Sequence, residues 1–411
     1  MSKAMIVTVG TGKYRKDIAS AICKSIDHHN PEEIIFVCSE KSETETMPYI
    51  QCDGKIKNKK YSCELLSDEN DLEKIQFECG IIIKKVLTIW TPDEIIVDYT
   101  SGTKAMSAGL ILSAIENGIG SISYIAGERN SEGRVISGKE RIISFYPNEI
   151  YARKLFSEAI RSFNRYRYDL AIQLLGRARE LLREEKFCEK INFLMDLAKA
   201  YYFWDRFELK EAFDLLRNLS ESSLCSEWGI KNKVGLHTQI VHEENKNKFC
   251  EKRIADLFLN ARRRHEEKKY DDAVARLYRL LEYIAQFQIA SMGLYHQENN
   301  GFDTNKLALN KIPENLRVKY SEMIGLEKSY ELLNDLGDRL GTKIYSELKK
   351  KNSDLKKLLS IRNNSILAHG FSPVTEEISA KLLDVIKGMI SEIFPIFDSL
   401  LKKIDFPEIK I

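Results

Sequence analysis

Ile95-Ile96-Val97-Asp98-Tyr99-Thr100-Ser101-Gly102-Thr103-Lys104-Ala105-Met106 carries a strand, a turn and a helix start in one run. The β-branched apolar residues read as a buried strand. A turn rich in hydroxyls and glycine follows, and residues 106–115 resume with helical spacing. Upstream, the same alternation recurs. Residues 4–9 are a short apolar strand ending in Gly10-Thr11-Gly12, and Ile18, Ala21, Ile22 and Ile26 then fall at helical steps. Residues 34–38 and 61–66 read as two more strands, and residues 71–90 as a long helix. Residues 121–126 and 142–145 complete the strand set. This β-α-β-α order predicts a mostly parallel sheet covered on both faces, an α/β doubly wound domain.

In such sheets ligands bind beyond the carboxyl ends of the strands, where loops enter helix N-termini. Residues 9–13 and 100–104 both hold that position. Each offers glycine-permitted backbone amides, hydroxyls and a lysine, a combination suited to phosphate. Two familiar nucleotide motifs fail on inspection. Lys104 follows Thr103 and precedes Ala105, so there is no Walker A loop, and Arg15 stands where a dinucleotide fingerprint needs its third glycine. Neither ATP hydrolysis nor NAD binding is supported.

The chain has 411 residues, enough for two or three domains. Its 63 basic and 61 acidic side chains leave a net charge of +2, which excludes a strongly cationic coat but not a local basic groove. The eight cysteines are scattered without a C-x-x-C pair, as in reduced thiols of a cytoplasmic protein, and their spacing argues against structural zinc. The N-terminal apolar run is too short for the core of a signal peptide. No stretch approaches the roughly 18 apolar residues of a membrane span.

From residue 151 the period is helical nearly throughout. Tyr168-Asp169-Leu170-Ala171, Phe207 to Ala212 and Tyr270-Asp271-Asp272-Ala273 look alike, each where one helix would turn into the next. Their intervals are unequal, so stacked helical hairpins are expected rather than a long solenoid. Tyr201-Tyr202-Phe203-Trp204 reads as core packing in preference to a base-stacking surface. His237 and His242 are followed by Glu243, but Lys246 stands where a zincin needs its second histidine. Residues 220–248, rich in Ser, Asn and Lys, read as a loop or linker. Residues 293–313 also look loop-like.

In the C-terminal part, Arg262-Arg263-Arg264-His265 opens a helix pair, and residues 273–285 are strongly amphipathic, with Arg276 and Arg279 on other faces. Those two arginines could track an RNA backbone or simply be solvated. A final helix is expected over 378–401. Between them, Leu355, Leu358, Leu359 and Ile361 give a helical pattern leading into Arg362-Asn363-Asn364-Ser365-Ile366-Leu367-Ala368-His369-Gly370. If that helix continues to His369, seven steps of roughly 100° return it to the face of Arg362, about 10 Å along the axis. A permanent cation and a group titrating near neutrality suit cleavage of RNA, whose 2′-hydroxyl is its own nucleophile: histidine moves protons and arginine stabilises the phosphate, with no metal required. A surface arginine and a capping histidine would look the same.

The stretch resembles the R-x(4–6)-H motif of HEPN ribonucleases, in which two such helices meet across a dimer two-fold and build one composite site. Residues 98–106 resemble the signature loop of CARF domains, with Ser101-Gly102 where the family often has two adjacent glycines. The combination looks like the CARF–HEPN ribonucleases of type III CRISPR systems. The resemblance implies a Rossmann-like CARF domain at 1–147, a helical connector at 148–250 and an all-α HEPN domain at 251–411. It implies a homodimer, a cyclic oligoadenylate bound as activator by Gly10, Thr11, Gly12, Ser101, Gly102, Thr103 and Lys104, and no cofactor or metal. Thr11, Ser101, Thr103 and Lys104 would face the ring. Single-stranded RNA would be cut by Arg362, Asn363 and His369, leaving a 2′,3′-cyclic phosphate and a 5′-hydroxyl. Neither membrane association nor stable DNA binding is expected. Two alternatives stay open: a nucleotide sensor whose helical part only scaffolds a partner, or a CARF domain that itself degrades the ring through Thr11, Ser101 and Lys104.

Overall fold

The computed structural model describes residues 4–12, 15–129, 135–182, 185–294, 307–320, 325–351 and 353–410. The chain forms two compact units, the first of Met1–Leu155 with Arg177–Glu184 and the second of Phe156–Gly176 with Glu185–Ile411.

The first unit contains β1 (Ala4–Val9), α1 (Arg15–His29), β2 (Glu33–Cys38), α2 (Glu40–Glu45), α3 (Met47–Gln51), β3 (Lys60–Leu65), α4 (Leu72–Val86), β4 (Ile95–Asp98), α5 (Lys104–Glu116), β5 (Ser121–Arg129) and β6 (Val135–Phe145). The sheet order is β3-β2-β1-β4-β5-β6; all neighbours are parallel except β5 and β6. This is the doubly wound architecture expected. β1 and β4 are buried along their whole length, which explains sequences apolar but for Thr8 and Asp98. Alternate residues serve opposite faces. Ala4, Ile6, Ile95 and Val97 pack under α4 and α5, while Met5, Val7, Phe36 and Ile96 pack under α1 and α3. The strand order reverses between β1 and β4, so the crevice of this sheet opens between the loops that follow them. Helix α4 stops at Val86, short of the expected residue 90.

The chain continues through α6 (Pro147–Phe163), α7 (Tyr168–Leu181), α8 (Glu185–Asp205), α9 (Leu209–Ser220), α10 (Ser223–Glu227), α11 (Lys231–Lys246), α12 (Glu251–Glu266), α13 (Tyr270–Ser291), α14 (Glu314–Arg317), α15 (Leu326–Asp335), α16 (Arg339–Lys349), α17 (Asp354–Asn364), α18 (Glu376–Ile393) and α19 (Phe397–Ile404). The second unit is all-helical in its described residues. Two expectations fail here. Residues 220–248 are not a linker: α11 buries Val234, His237, Ile240, Val241 and Glu244 along one face. Residues 378–401 are two helices, because Pro395 cannot continue the first. The expected loop at 293–313 lies partly outside the described residues; its described end, 307–313, holds no α-helix.

The three look-alike segments are one repeated turn. Tyr166, Phe207 and Lys268 have φ of 60°, 61° and 64°, and the next residue's amide reaches back to Ser162, Phe203 and Arg264 in the helix before. This is the left-handed helix stop normally made by glycine. Tyr201 and Trp204 are fully buried, and His237 and Phe406 complete their cluster, which is core rather than a base platform. His237 donates from Nε2 to the Lys403 carbonyl at 3.0 Å and accepts from the Tyr201 hydroxyl at 2.8 Å, so it is a structural histidine. Helix α13 is the spine of the C-terminal part: α12, α15, α17 and α18 all pack on it.

Candidate functional site

Two places gather the residues singled out in the sequence, one in each unit. The first is the crevice of the sheet. A Cβ on Gly10 would lie 2.5 Å from the Gly102 amide nitrogen, and Gly102 itself has φ of +109°. Only glycine satisfies both demands, so the loops after β1 and β4 meet backbone to backbone. Cross-bonds lock the seam. The Gly10 amide donates to Ser101 Oγ at 2.9 Å, the Thr8 hydroxyl donates to the Ser101 carbonyl, and the Thr46 hydroxyl donates to the Gly10 carbonyl at 2.9 Å. Asp98, fully buried, accepts from the Thr100 amide at 2.8 Å and from the Ser25 hydroxyl. Burial pushes its carboxyl above the usual range, against those hydrogen bonds.

Thr103 caps α5: its hydroxyl accepts from the Met106 amide at 3.1 Å and donates to the Glu69 carbonyl at 2.6 Å. That hydroxyl therefore holds the helix, whereas the sequence reading aimed it at a ligand. Lys104, exposed at the first position of α5, and Thr11, half-buried, make no side-chain hydrogen bond or ion pair among the described residues. Gly12 stands beside Ile18, and Lys13 lies outside the described residues. The α5 N-terminus carries amides without intrahelical partners, next to a free ammonium group. Such a corner receives an anion. Thr8, Ser25 and Thr46 were missed because a lone hydroxyl inside an apolar strand or helix has no signal of its own.

The second place is the end of α17. Ser353 starts this helix, its hydroxyl accepting from the Lys356 amide at 3.1 Å. The helix stops at Asn364, five residues before His369, so the expectation of one continuous helical face fails. Ser365 ends it: its buried hydroxyl donates to the Arg362 carbonyl at 2.8 Å and competes with helix continuation. A tight turn folds back on the helix end instead. The His369 amide donates to the Asn363 carbonyl at 3.2 Å, and the Ser372 amide to the Asn364 carbonyl at 2.9 Å. Arg362 and His369 thus share one short segment, but a turn rather than helical periodicity relates them.

Arg362 Nη1 donates to Asn363 Oδ1 at 3.1 Å, and its guanidinium carbon lies 4.5 Å from the centroid of the Tyr278 ring on α13. No carboxylate pairs with it among the described residues. Every arginine of α12 and α13 differs in this. Arg262 takes Asp405, Arg263 takes Asp205 and Asp256, Arg264 takes Asp205 and Glu267, Arg253 takes Glu244, Arg276 takes Asp272 and Arg279 takes Glu282. The Arg262–Arg264 run is therefore an ionic network inside the fold, and Arg276 and Arg279 are not free to track RNA. His369 is exposed, and its ring makes no hydrogen bond among the described residues. Three large apolar side chains stand in solvent around it: Ile366, Leu367 and, at 91% exposure, Phe371.

Among the described residues no cluster of His, Cys, Asp and Glu has the makings of a metal site, and no helix is long and apolar enough to cross a membrane.

Comparison with known proteins places these two sites in context. Residues 151–248 match the family model described as the Csm6 6H domain, and residues 242–392 match the Csm6 HEPN domain. No curated protein matches the chain. Among solved structures it is similar to Enterococcus italicus Csm6 bound to cyclic hexa-2′-fluoro-hexa-dAMP, with a TM-score of 0.63 and 14% identity over 98% of each chain. At that identity the likeness speaks for the fold.

Proposed function

Because this chain belongs to the Csm6 family of CRISPR-associated CARF–HEPN proteins, we propose that it is an endoribonuclease switched on by a cyclic oligoadenylate. The solved relative holds a cyclic hexanucleotide analogue, which supports an activator of that class here. The seam at Gly10 and Gly102, with Thr11, Ser101 and the Lys104 ammonium beside the α5 N-terminus, is where its phosphates would rest. On this reading residues 1–147 sense the activator, 148–250 connect and 251–411 cut.

One observation carries the cutting reaction. Among the described residues no carboxylate claims the charge and donors of Arg362, and on the same exposed segment the His369 ring is unbonded. RNA needs little more. His369 takes the proton from the 2′-hydroxyl or returns one to the leaving 5′-oxygen, and Arg362 stabilises the charge on the pentavalent phosphorus. Asn363 holds the guanidinium by its carbonyl oxygen. The products are a 2′,3′-cyclic phosphate and a 5′-hydroxyl, and no metal takes part. The solvent-exposed Ile366, Leu367 and Phe371 support a two-fold partner at this face, bringing two Arg–His pairs together.

Arg362→Ala and His369→Ala proteins should each bind cyclic oligoadenylate and lose RNA cleavage by more than about a hundred-fold. Chelator should leave the wild-type rate unchanged, and RNA with 2′-deoxy sugars should resist attack. Cleavage retained by both variants ends the proposal.

A further inference from the structure

Arg263 on α12 also lies over a ring, 3.9 Å from the Phe406 centroid, but two carboxylates take its donors; Arg362 has the ring without a carboxylate among the described residues, and the difference has a chemical use. A carboxylate partner fixes a guanidinium by occupying its in-plane N–H donors and cancelling its charge. An aromatic ring fixes it through its face, leaving donors and charge available to a phosphate. Tyr278 offers such a ring from α13, with the Arg362 guanidinium carbon 4.5 Å from its centroid. The ring is held by its place in the helix: Tyr278 is half-buried on α13, and Glu282, one turn along, pairs with Arg279 at 3.3 Å. The other end of Arg362 is equally fixed, since its carbonyl accepts from the Ser365 hydroxyl.

We infer that Tyr278 is the positioning residue for Arg362, holding its guanidinium by the face so that its N–H edge is presented to the scissile phosphate. This inference rests on the ribonuclease reading of Arg362 and adds to it a residue on a different helix, some 80 positions earlier in the chain. An arginine left free would sample many rotamers and surrender that entropy at each turnover; a stacked one is already ordered.

The test uses full-length protein, activated by cyclic tetra- or hexaadenylate, with kcat and KM measured on single-stranded RNA. Tyr278→Leu should lower kcat about ten-fold with KM within about two-fold of wild type, while Tyr278→Phe should restore most of the rate. A graded series of fluorinated phenylalanines at position 278 keeps the shape and weakens the ring's hold on a cation, so kcat should fall stepwise along the series. That series decides the matter even where the leucine variant folds poorly. A flat response to fluorination, or a loss that appears only in KM, overturns the positioning role. Arg362→Ala is the separate control: if it still cleaves RNA, the ribonuclease reading itself has failed.

Discussion

A methyl group on Gly370 would sit 2.1 Å from the Asn364 carbonyl oxygen, a backbone atom that cannot move aside without breaking the turn. Gly370→Ala should therefore push the His369 segment off the end of α17. RNA cleavage should fall at least about ten-fold, with cyclic oligoadenylate binding unchanged; an alanine variant of wild-type rate would mean the turn is not needed. The types and order of Arg362, Asn363 and His369 could be read in the sequence only through a family resemblance, because a surface arginine and a capping histidine would look the same. Their geometry was not legible. Ser365 decides it, by turning its hydroxyl onto the Arg362 carbonyl, and a serine near a helix end reads equally well either way. Tyr278 was equally hidden: it lies off the apolar face of α13 beside Arg276 and Arg279, and nothing in its spacing says what its ring meets. Thr103 and Asp98 teach the converse: both belong to a recognisable stretch, yet one caps α5 and the other ends β4 buried against Ser25 of α1.

Among the elements, strands were read most securely. β1, β2 and β4 are buried on both faces, so their sequences are apolar apart from Thr8, Glu33 and Asp98. Helix α11 was missed because its buried face includes a histidine and a glutamate, which blur the apolar period. The three helix stops at Tyr166, Phe207 and Lys268 were visible only as a vague likeness of the residues that follow them, since none uses glycine. A side chain in this left-handed conformation costs about 1–2 kcal/mol. Lys268 is exposed, so glycine there loses no packing. Lys268→Gly should stabilise the protein by about 0.5–1 kcal/mol net of glycine's own entropy, a rise of about 1–4 °C in melting temperature. A lower melting temperature would show that the lysine stem contributes packing.

At the scale of the whole molecule, two buried groups set how stability responds to pH. Burial, with Lys233 nearby, holds His237 down to about 3. Its folded value lies below the unfolded one of about 6.5, so its contribution is present above that pH and is lost as pH falls toward 3. Glu244 works in the opposite sense. It is buried, its side-chain oxygens have no hydrogen-bond partner among the described residues and only Arg253 at 3.6 Å as an ion-pair partner, and burial with nearby Asp256 raises its carboxyl well above the ordinary range. Its contribution is present below the unfolded value of about 4.3 and is lost as pH rises through the folded value. Each acts at up to about 1.4 kcal/mol per pH unit. Glu244→Gln should match the wild-type melting temperature near pH 5 and exceed it increasingly toward pH 8. Parallel melting curves for the two proteins across that range would rule out a titrating Glu244.

The Asp205–Arg263–Asp256 network also dictates where the polypeptide can be divided. Asp205 ends α8, and the guanidinium that answers it lies on α12, with no exposure to solvent. A fragment beginning at residue 251 keeps the guanidinium and leaves one of its two anions behind. A fragment cut at residue 251 should therefore carry α8 with it, or have Arg263 neutralised first, because the ionic knot ties α8 to α12.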